Sequence, residues 1–238
     1  LGVSCTAALT AITAQNTVAV TAVHEIPVDI IAAQIQAVAS DIGADSLKTG
    51  MLSSSAIIEC VADSLSVLPA VRNLVVDPVM VAKSGDSLLR EEAVSTLKAK
   101  LLPLAAVVTP NIPEAETLTG MTIKTDDDVM EAARAIVAMG ARSVVVKGGH
   151  REGPATDLYF DGSNFQEFSS PRFETVNTHG TGCTFASAVA AGLAKGLEVE
   201  NAVGQAKEFV TEAIRTSFPI GQGHGPLNHF HRFWPANT

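Results

Sequence analysis

"DDDVMEAARAIVAMG" (126–140) is followed two residues later by "SVVVKGG" (143–149), and the pairing of these two stretches decides the fold. The first has apolar residues at helical spacing, three carboxylates in its first turn, where they face the positive end of the helix dipole, and a glycine at its end. The second is a β-branched run stopped by a lysine and two glycines, too short for a helix and without polar alternation. It reads as a strand covered on both faces. Working outward, "NLVVDPVM" (73–80) and "AAVVTPN" (105–111) repeat the buried run, and "REEAVSTLKAKLL" (90–102) supplies a helix between them. This β-α-β grammar predicts an α/β fold with a central, mainly parallel sheet flanked by helices on both faces. "TDLYFDGSNFQEFS" (156–169) reads as a hairpin turning across "DGSN", which gives the sheet an antiparallel edge. Two further helices are expected between Gly182 and Ser217, separated near "GLEVE" (196–200).

At 238 residues the chain suits one α/β domain with a substantial core. A formal charge of −9 argues against non-specific attraction to nucleic acid or an anionic membrane, so an anionic ligand needs a local site. No basic segment precedes an apolar run at the amino terminus, and no apolar stretch has the length of a bilayer span. Cys5, Cys60 and Cys183 lack metal-ligand or disulfide-framework spacing, which favours a reducing compartment; the expectation is cytoplasmic.

Ligands of open α/β sheets sit beyond the carboxyl ends of the strands. Asp77, Asn111 and Lys147 each fall at such an end, and "NTHGTGCTFASAVAAGL" (177–193) opens a helix with a glycine-rich turn. Backbone N–H groups at a helix start form an anion site, which Gly180, Thr181 and Gly182 would expose. Close packing of the helix on a strand explains the glycines equally well. Cys183 in the first turn would have its thiol pKa lowered by the dipole, making it a nucleophile or base, although small buried cysteines are the commoner case. Lys147 alone reads as a surface lysine, Asp77 as a turn cap or cation ligand, Glu114 as a dipole partner. Together, two carboxylates, a lysine and a helix-start anion hole form the set that phosphoryl transfer from a magnesium nucleotide needs. Neither a P-loop nor a dinucleotide fingerprint is present. His224, His229 and His231 have no carboxylate or cysteine ligand close in sequence; that segment reads as a tail packed on the domain through Phe230, Phe233 and Trp234.

"LTAITAQNT" (9–17), "KTGML" (48–52), "VVDPVMVAKSGD" (75–86), "VTPNIPEAE" (108–116), "VVVKGGH" (144–150), "NTHGTGCTFASAVAAGLAKG" (177–196) and "GHGPLNHF" (223–230) resemble, in order and spacing, the hydroxymethylpyrimidine and phosphomethylpyrimidine kinases of thiamine biosynthesis, within the ribokinase-like superfamily. The resemblance implies ATP-dependent phosphorylation of the pyrimidine's hydroxymethyl group and then of the monophosphate, with ATP and Mg2+ as cofactors. It implies that Gln15 hydrogen-bonds the aminopyrimidine and Met51 contacts its ring. Asp77 and Glu114 are implied to bind magnesium, partly through water, Lys147 the nucleotide phosphates, and Lys207 of "GQAKEF" a place near the nucleotide. Gly180, Thr181 and Gly182 are implied to be the anion hole. Cys183 stands where sugar kinases of the superfamily carry a catalytic aspartate, implying a base or positioning role. A homodimer acting on small molecules, with no nucleic-acid or membrane partner, is expected. Members begin with a strand and a glycine-rich loop that find no counterpart here, so the expectation is a single domain, 1–238, without that segment; Ser4 and Cys5 also depart from the usual aromatic and small residue. Pyridoxal kinases on the same scaffold tend to carry methionine at the place of Gln15, alanine within the anion-hole turn and threonine at the place of Lys147. A non-catalytic, ligand-binding relative is the other alternative.

Overall fold

In chain order, a hairpin of β1 (Ala11–Gln15) and β2 (Val20–Glu25) is followed by α1 (Val28–Asp41), β3 (Leu47–Thr49), α2 (Ser55–Ser66), β4 (Leu74–Val76), α3 (Glu91–Thr96), β5 (Val107–Val108), α4 (Ile112–Thr119), α5 (Asp126–Ala138), β6 (Val144–Val146), β7 (Ala155–Phe160), β8 (Phe165–Ser170), α6 (Thr181–Ala194) and α7 (Val199–Arg215). The structure is a computed structural model and describes residues 1–80, 91–149 and 153–234. The second half of "VVDPVMVAKSGD", Arg90 and His150 therefore lie outside the described residues.

The described sheet has six strands in the order β3-β4-β5-β6-β7-β8. β3 to β6 run parallel, and β7 and β8 add the antiparallel edge. Alternate side chains of the central strands enter two separate cores. Leu74, Val76, Val108, Val144 and Val146 belong to one, with residues of α1, α2, α4 and α5. Val75, Val107 and Val145 belong to the other, with Phe185, Val189, Val203 and Phe209 of α6 and α7. Both faces are covered, so these strands carry no polar alternation. Burial contributes about 1.5–3 kcal/mol for each such side chain.

Local chemistry ends the elements where the sequence indicates. Thr125 and Asp128 close a capping box at the start of α5, Thr125 accepting from Asp128 N–H and Asp128 from Thr125 N–H. Asp161 accepts from the N–H groups of Ser163 and Asn164 at 2.7 and 2.6 Å, with Gly162 at φ +95°, which makes "DGSN" the hairpin turn. The helix expected over 90–102 stays regular only to Thr96; it widens into a π turn over Leu97–Leu101 and tightens over Leu102–Leu104. Pro103 has no N–H to continue the ladder, and its ring crowds the preceding turn.

The sequence reading assigns none of β1, β2, α1, β3 or α2. β3 is three residues long, and the β1–β2 hairpin forms a separate two-stranded sheet held by long-range contacts. Thr10 Oγ1 donates to the Met51 carbonyl at 3.0 Å, and Ser53 Oγ to Glu25 Oε1 at 2.8 Å. The tail also differs from expectation. Leu227 and Asn228 are buried, whereas Phe230, Phe233 and Trp234 are 55, 77 and 53% exposed. Asn228 N–H donates to the Ala213 carbonyl at 2.9 Å, so backbone bonding and Leu227 anchor the tail while the aromatic rings of Phe230 and Trp234 stack on each other. The histidines have separate partners: His224 reaches Val176 O, His229 Thr184 Oγ1, and His231 the Phe209 ring. No described helix is long and apolar enough to cross a membrane.

Candidate active site

The parallel strands end together, and hydrogen bonds carry their alignment past the strand ends. Asp77 N–H donates to Thr49 O at 3.1 Å, Thr109 N–H to Val76 O at 2.9 Å, and Lys147 N–H to Pro110 O at 2.8 Å. This register brings Lys48, Asp77, Asn111 and Lys147 to one edge. Asp77 is 2% exposed; its Oδ1 accepts from Lys147 Nζ at 3.1 Å and from Thr109 Oγ1 at 3.3 Å. Its Oδ2 has no hydrogen-bond partner among the described residues, and Lys48 Nζ stands 3.8 Å away. A buried, unsatisfied carboxylate oxygen is costly. Burial pushes the Lys147 ammonium down, yet Asp77 and Glu114 outweigh it and hold Lys147 above the ordinary lysine range.

Glu114 closes a capping box at the start of α4. Its N–H donates to Asn111 Oδ1 at 2.9 Å, and its Oε2 accepts from Asn111 N–H at 2.8 Å. Glu114 is thus the helix partner that the sequence allows, and it lies close enough to Lys147 and Asp77 for both to act on its charge. Burial holds the carboxyl above its usual value of 4.5, Lys147 and the Asn111 N–H pull it back, and Asp77 raises it again.

The glycine turn faces the same crevice. Gly180 has φ +79°, a conformation that glycine adopts without strain, and the α6 ladder begins with Thr184 N–H to Gly180 O at 2.8 Å. Thr181 ties the turn down through Oγ1 to Thr178 O at 2.7 Å. The N–H groups of Gly182 and Cys183 precede the ladder and have no intrahelical acceptor, as at any helix start. A Cβ at Gly182 would stand 3.0 Å from Lys147 Nζ and 3.9 Å from Asp77 Oδ2. The glycine therefore makes room at the crevice, and close packing on a strand does not explain it. Cys183 departs from the dipole expectation. Its side chain opens to solvent but sits in a crowded crevice, and that desolvation pushes the thiol above its ordinary range. Lys48 pulls it back, Asp77 raises it and Lys147 lowers it.

Lys207 approaches indirectly. Its Nζ donates to Asp157 Oδ2 at 2.9 Å and to Ala155 O at 2.6 Å, while Asp157 Oδ1 accepts from Gly148 N–H at 3.0 Å. Lys207 thus braces the residue next to Lys147. Gln15 is exposed at the end of β1, where the register shifts between Ala14 and Gln15, and Met51 is partly buried on the loop that Thr10 holds. Sequence reasoning missed Lys48 and Asp157. Lys48 lies inside "KTGML", but a three-residue strand gave no sign that a strand ended there; Asp157 could have been found from hairpin alternation, which turns it inward with Tyr159.

The residues fit a magnesium ion of the kind that keeps water and phosphate oxygens as ligands. Asp77 and Glu114 are hard oxygen donors, Asp77 Oδ2 is unsatisfied, and among the described residues no three acidic, histidine or cysteine side chains form a cage.

Residues 1–228 match the phosphomethylpyrimidine kinase family. A hydroxymethylpyrimidine/phosphomethylpyrimidine kinase of Haemophilus influenzae is 51% identical over 235 residues, covering 96% of this chain and 87% of that protein. The thiamine biosynthesis bifunctional protein ThiED of Geobacter sulfurreducens is also 51% identical, over 96% of this chain but only 47% of its own length. Among solved structures, an ADP complex of Bacillus subtilis pyridoxal kinase superposes with a TM-score of 0.85 at 43% identity, covering 94% of this chain and 85% of that one. Clostridium difficile phosphomethylpyrimidine kinase gives 0.80 at 41% identity, with 90 and 87% covered.

Proposed function

The chain belongs to the phosphomethylpyrimidine kinase family, and on that premise we propose that it transfers the γ-phosphoryl group of Mg-ATP to 4-amino-5-hydroxymethyl-2-methylpyrimidine and then to the resulting monophosphate, in thiamine biosynthesis. One observation carries the reading: the buried Asp77 carboxylate, bound by Lys147 on one oxygen and unsatisfied on the other, faces the open anion turn at Gly182.

Asp77 and Glu114 would hold magnesium, whose charge offsets that of the donor phosphates. Lys147 and the N–H groups of Gly182 and Cys183 meet the transferring group from two sides, and Gly182 keeps that space free. Lys207 and Asp157 act through Gly148 to hold Lys147 in place. Gln15 and Met51 read the pyrimidine, the amide pairing with the amino group and a ring nitrogen. Cys183 acts through its place in the turn: a thiol held above its usual range is protonated at neutral pH, and a loose transition state asks little of a base.

The pyridoxal kinase alternative has a structural neighbour at 43% identity in its favour. Against it stand Gln15, Lys147 and the absence of alanine from the Gly180–Thr181–Gly182 turn. Kinetics with the pyrimidine alcohol, its monophosphate and pyridoxal in parallel test the assignment; a higher kcat/KM for pyridoxal than for either pyrimidine overturns it. We further read the chain as a cytoplasmic homodimer. The unpaired Cys5, Cys60 and Cys183 support the compartment, and the exposed Ile12, Val23, Val28 and Ile30 around the hairpin and α1 support the dimer. Light scattering that gives a monomer mass at micromolar concentration excludes the dimer.

A further inference from the structure

Lys48 has no part in the mechanism above, yet its ammonium lies in the crevice. It stands 3.8 Å from Asp77 Oδ2, beyond hydrogen-bond distance, and among the described residues it donates no hydrogen bond. Its side chain is 19% exposed, so it is recessed and still reachable from solvent. Two residues on, a Cβ at Gly50 would come within 2.8 Å of Lys48 Nζ, and the glycine leaves that approach clear. The Asp77 carboxylate therefore has a cation on each side. Lys147, from β6, is hydrogen-bonded to Oδ1; Lys48, from β3, is poised beside the buried, unsatisfied Oδ2.

The strand order separates the two cations by task. β6 leads into Gly148, braced by Asp157 and Lys207, on the side assigned to the nucleotide. β3 leads into Gly50 and Met51, joined by Thr10 to the hairpin that carries Gln15, on the side assigned to the acceptor. The two proposed reactions differ in acceptor charge. The alcohol is neutral, whereas a phosphomonoester carries about −1.5 to −2 near neutral pH. A crevice already holding Asp77 and Glu114 repels the second acceptor unless a cation on the acceptor side offsets it.

We propose that Lys48 Nζ binds the phosphate of the monophosphate acceptor, and that this contact is what admits a phosphorylated substrate to the second reaction. The inference rests on the functional reading above. In that second step an acceptor phosphate oxygen forms a bond to the γ-phosphorus, the bond from the γ-phosphorus to the oxygen bridging it to the β-phosphorus breaks, and ADP leaves with that electron pair. Lys48 keeps its protons throughout. A charge-assisted contact of this kind corresponds to about 10- to 100-fold in binding.

The test uses the full chain with Lys48→Met and Lys48→Arg. For each protein, kcat/KM is measured with the alcohol and with the monophosphate, and each acceptor is titrated calorimetrically without nucleotide. Lys48→Met should lower the ratio of monophosphate to alcohol kcat/KM by about 10- to 100-fold and weaken monophosphate binding by a similar factor, with Lys48→Arg restoring most of both. A parallel loss with both acceptors, or an unchanged ratio, overturns the inference, because Lys48 would then serve the transferred group or Asp77 alone. Should Lys48→Met fail to fold, Lys48→Gln carries the same comparison. A wild-type chain that phosphorylates neither acceptor removes the functional reading and this inference with it; a wild-type chain active on both, with no ratio change in the variant, removes the inference alone.

Discussion

Gly182 has a hydrogen where any other residue would place a carbon 3.0 Å from Lys147 Nζ, and this close approach fixes how the crevice can be altered. Gly182→Val should lower kcat/KM by about 100-fold or more, since it fills the space beside the anion hole; near-normal activity would remove the anion turn from the mechanism. At Glu114 the sign of the pKa shift matters. Burial raises the folded-state value above 4.5, so this group's stabilising contribution is present below 4.5 and is lost as pH rises through the folded value. Glu114→Gln should therefore melt no lower than wild type near neutral pH without metal, while needing more magnesium for half-maximal rate. For the wild type, the magnesium requirement should begin to climb closer to neutrality on acidification than an ordinary glutamate allows, because the protonated carboxyl excludes the cation. A magnesium dependence identical in wild type and Glu114→Gln across pH would contradict the metal assignment. Cys183→Ala should lose less than about 10-fold in kcat, in contrast to the about 100-fold or more expected on losing a true base.

At the scale of elements, the joint between β6, β7 and α7 holds the lysine of the site in place. Lys207 and Asp157 form a nearly buried pair at 2.9 Å, with side chains 11 and 8% exposed. Lys207→Met leaves Asp157 charged and unpaired, which costs about 3–5 kcal/mol. For a chain of this size that is a fall in melting temperature of roughly 10 °C. A lysine that only touched the nucleotide would leave melting unchanged and move the KM for ATP alone, so differential scanning calorimetry beside ATP kinetics separates the two roles. Gly148 has the tightest fit in the same joint: a Cβ there would lie 1.8 Å from the Thr156 carbonyl oxygen, a backbone atom that cannot step aside without parting β6 from β7.

At the scale of the whole molecule, the hairpin is held at both ends by distant chain. Thr10 and Glu25 fix its base to the loop carrying Met51 and Ser53, and at its tip Thr17 O accepts from His224 N–H at 2.9 Å while a Cβ at Gly223 would meet that oxygen at 2.0 Å. Gly223→Val should lift the 221–225 segment from the hairpin, raise the acceptor KM with little change in the KM for ATP, and open residues 217–226 to limited proteolysis; equal changes in both constants would argue against a hairpin role in acceptor binding. The valine strands, the "DGSN" turn, the helix α5 with its acidic first turn and the glycine turn at 180–182 were legible in the sequence, because each is specified by periodicity, terminal charge or φ preference within about ten residues. The same runs placed Asp77, Asn111 and Lys147 at strand ends, so their meeting followed from the parallel sheet. Tertiary structure alone decided the rest. The β1–β2 hairpin owes its place to partners such as Gly223, 206 residues from Thr17, and Lys207 found Asp157 across 50 residues. Lys48 came beside Asp77 only because a three-residue strand pairs with β4, and the tail aromatics stay exposed while Leu227 and backbone hydrogen bonds anchor that segment. Such contacts depend on which surfaces the packed elements bring together, and no local window of the chain encodes that.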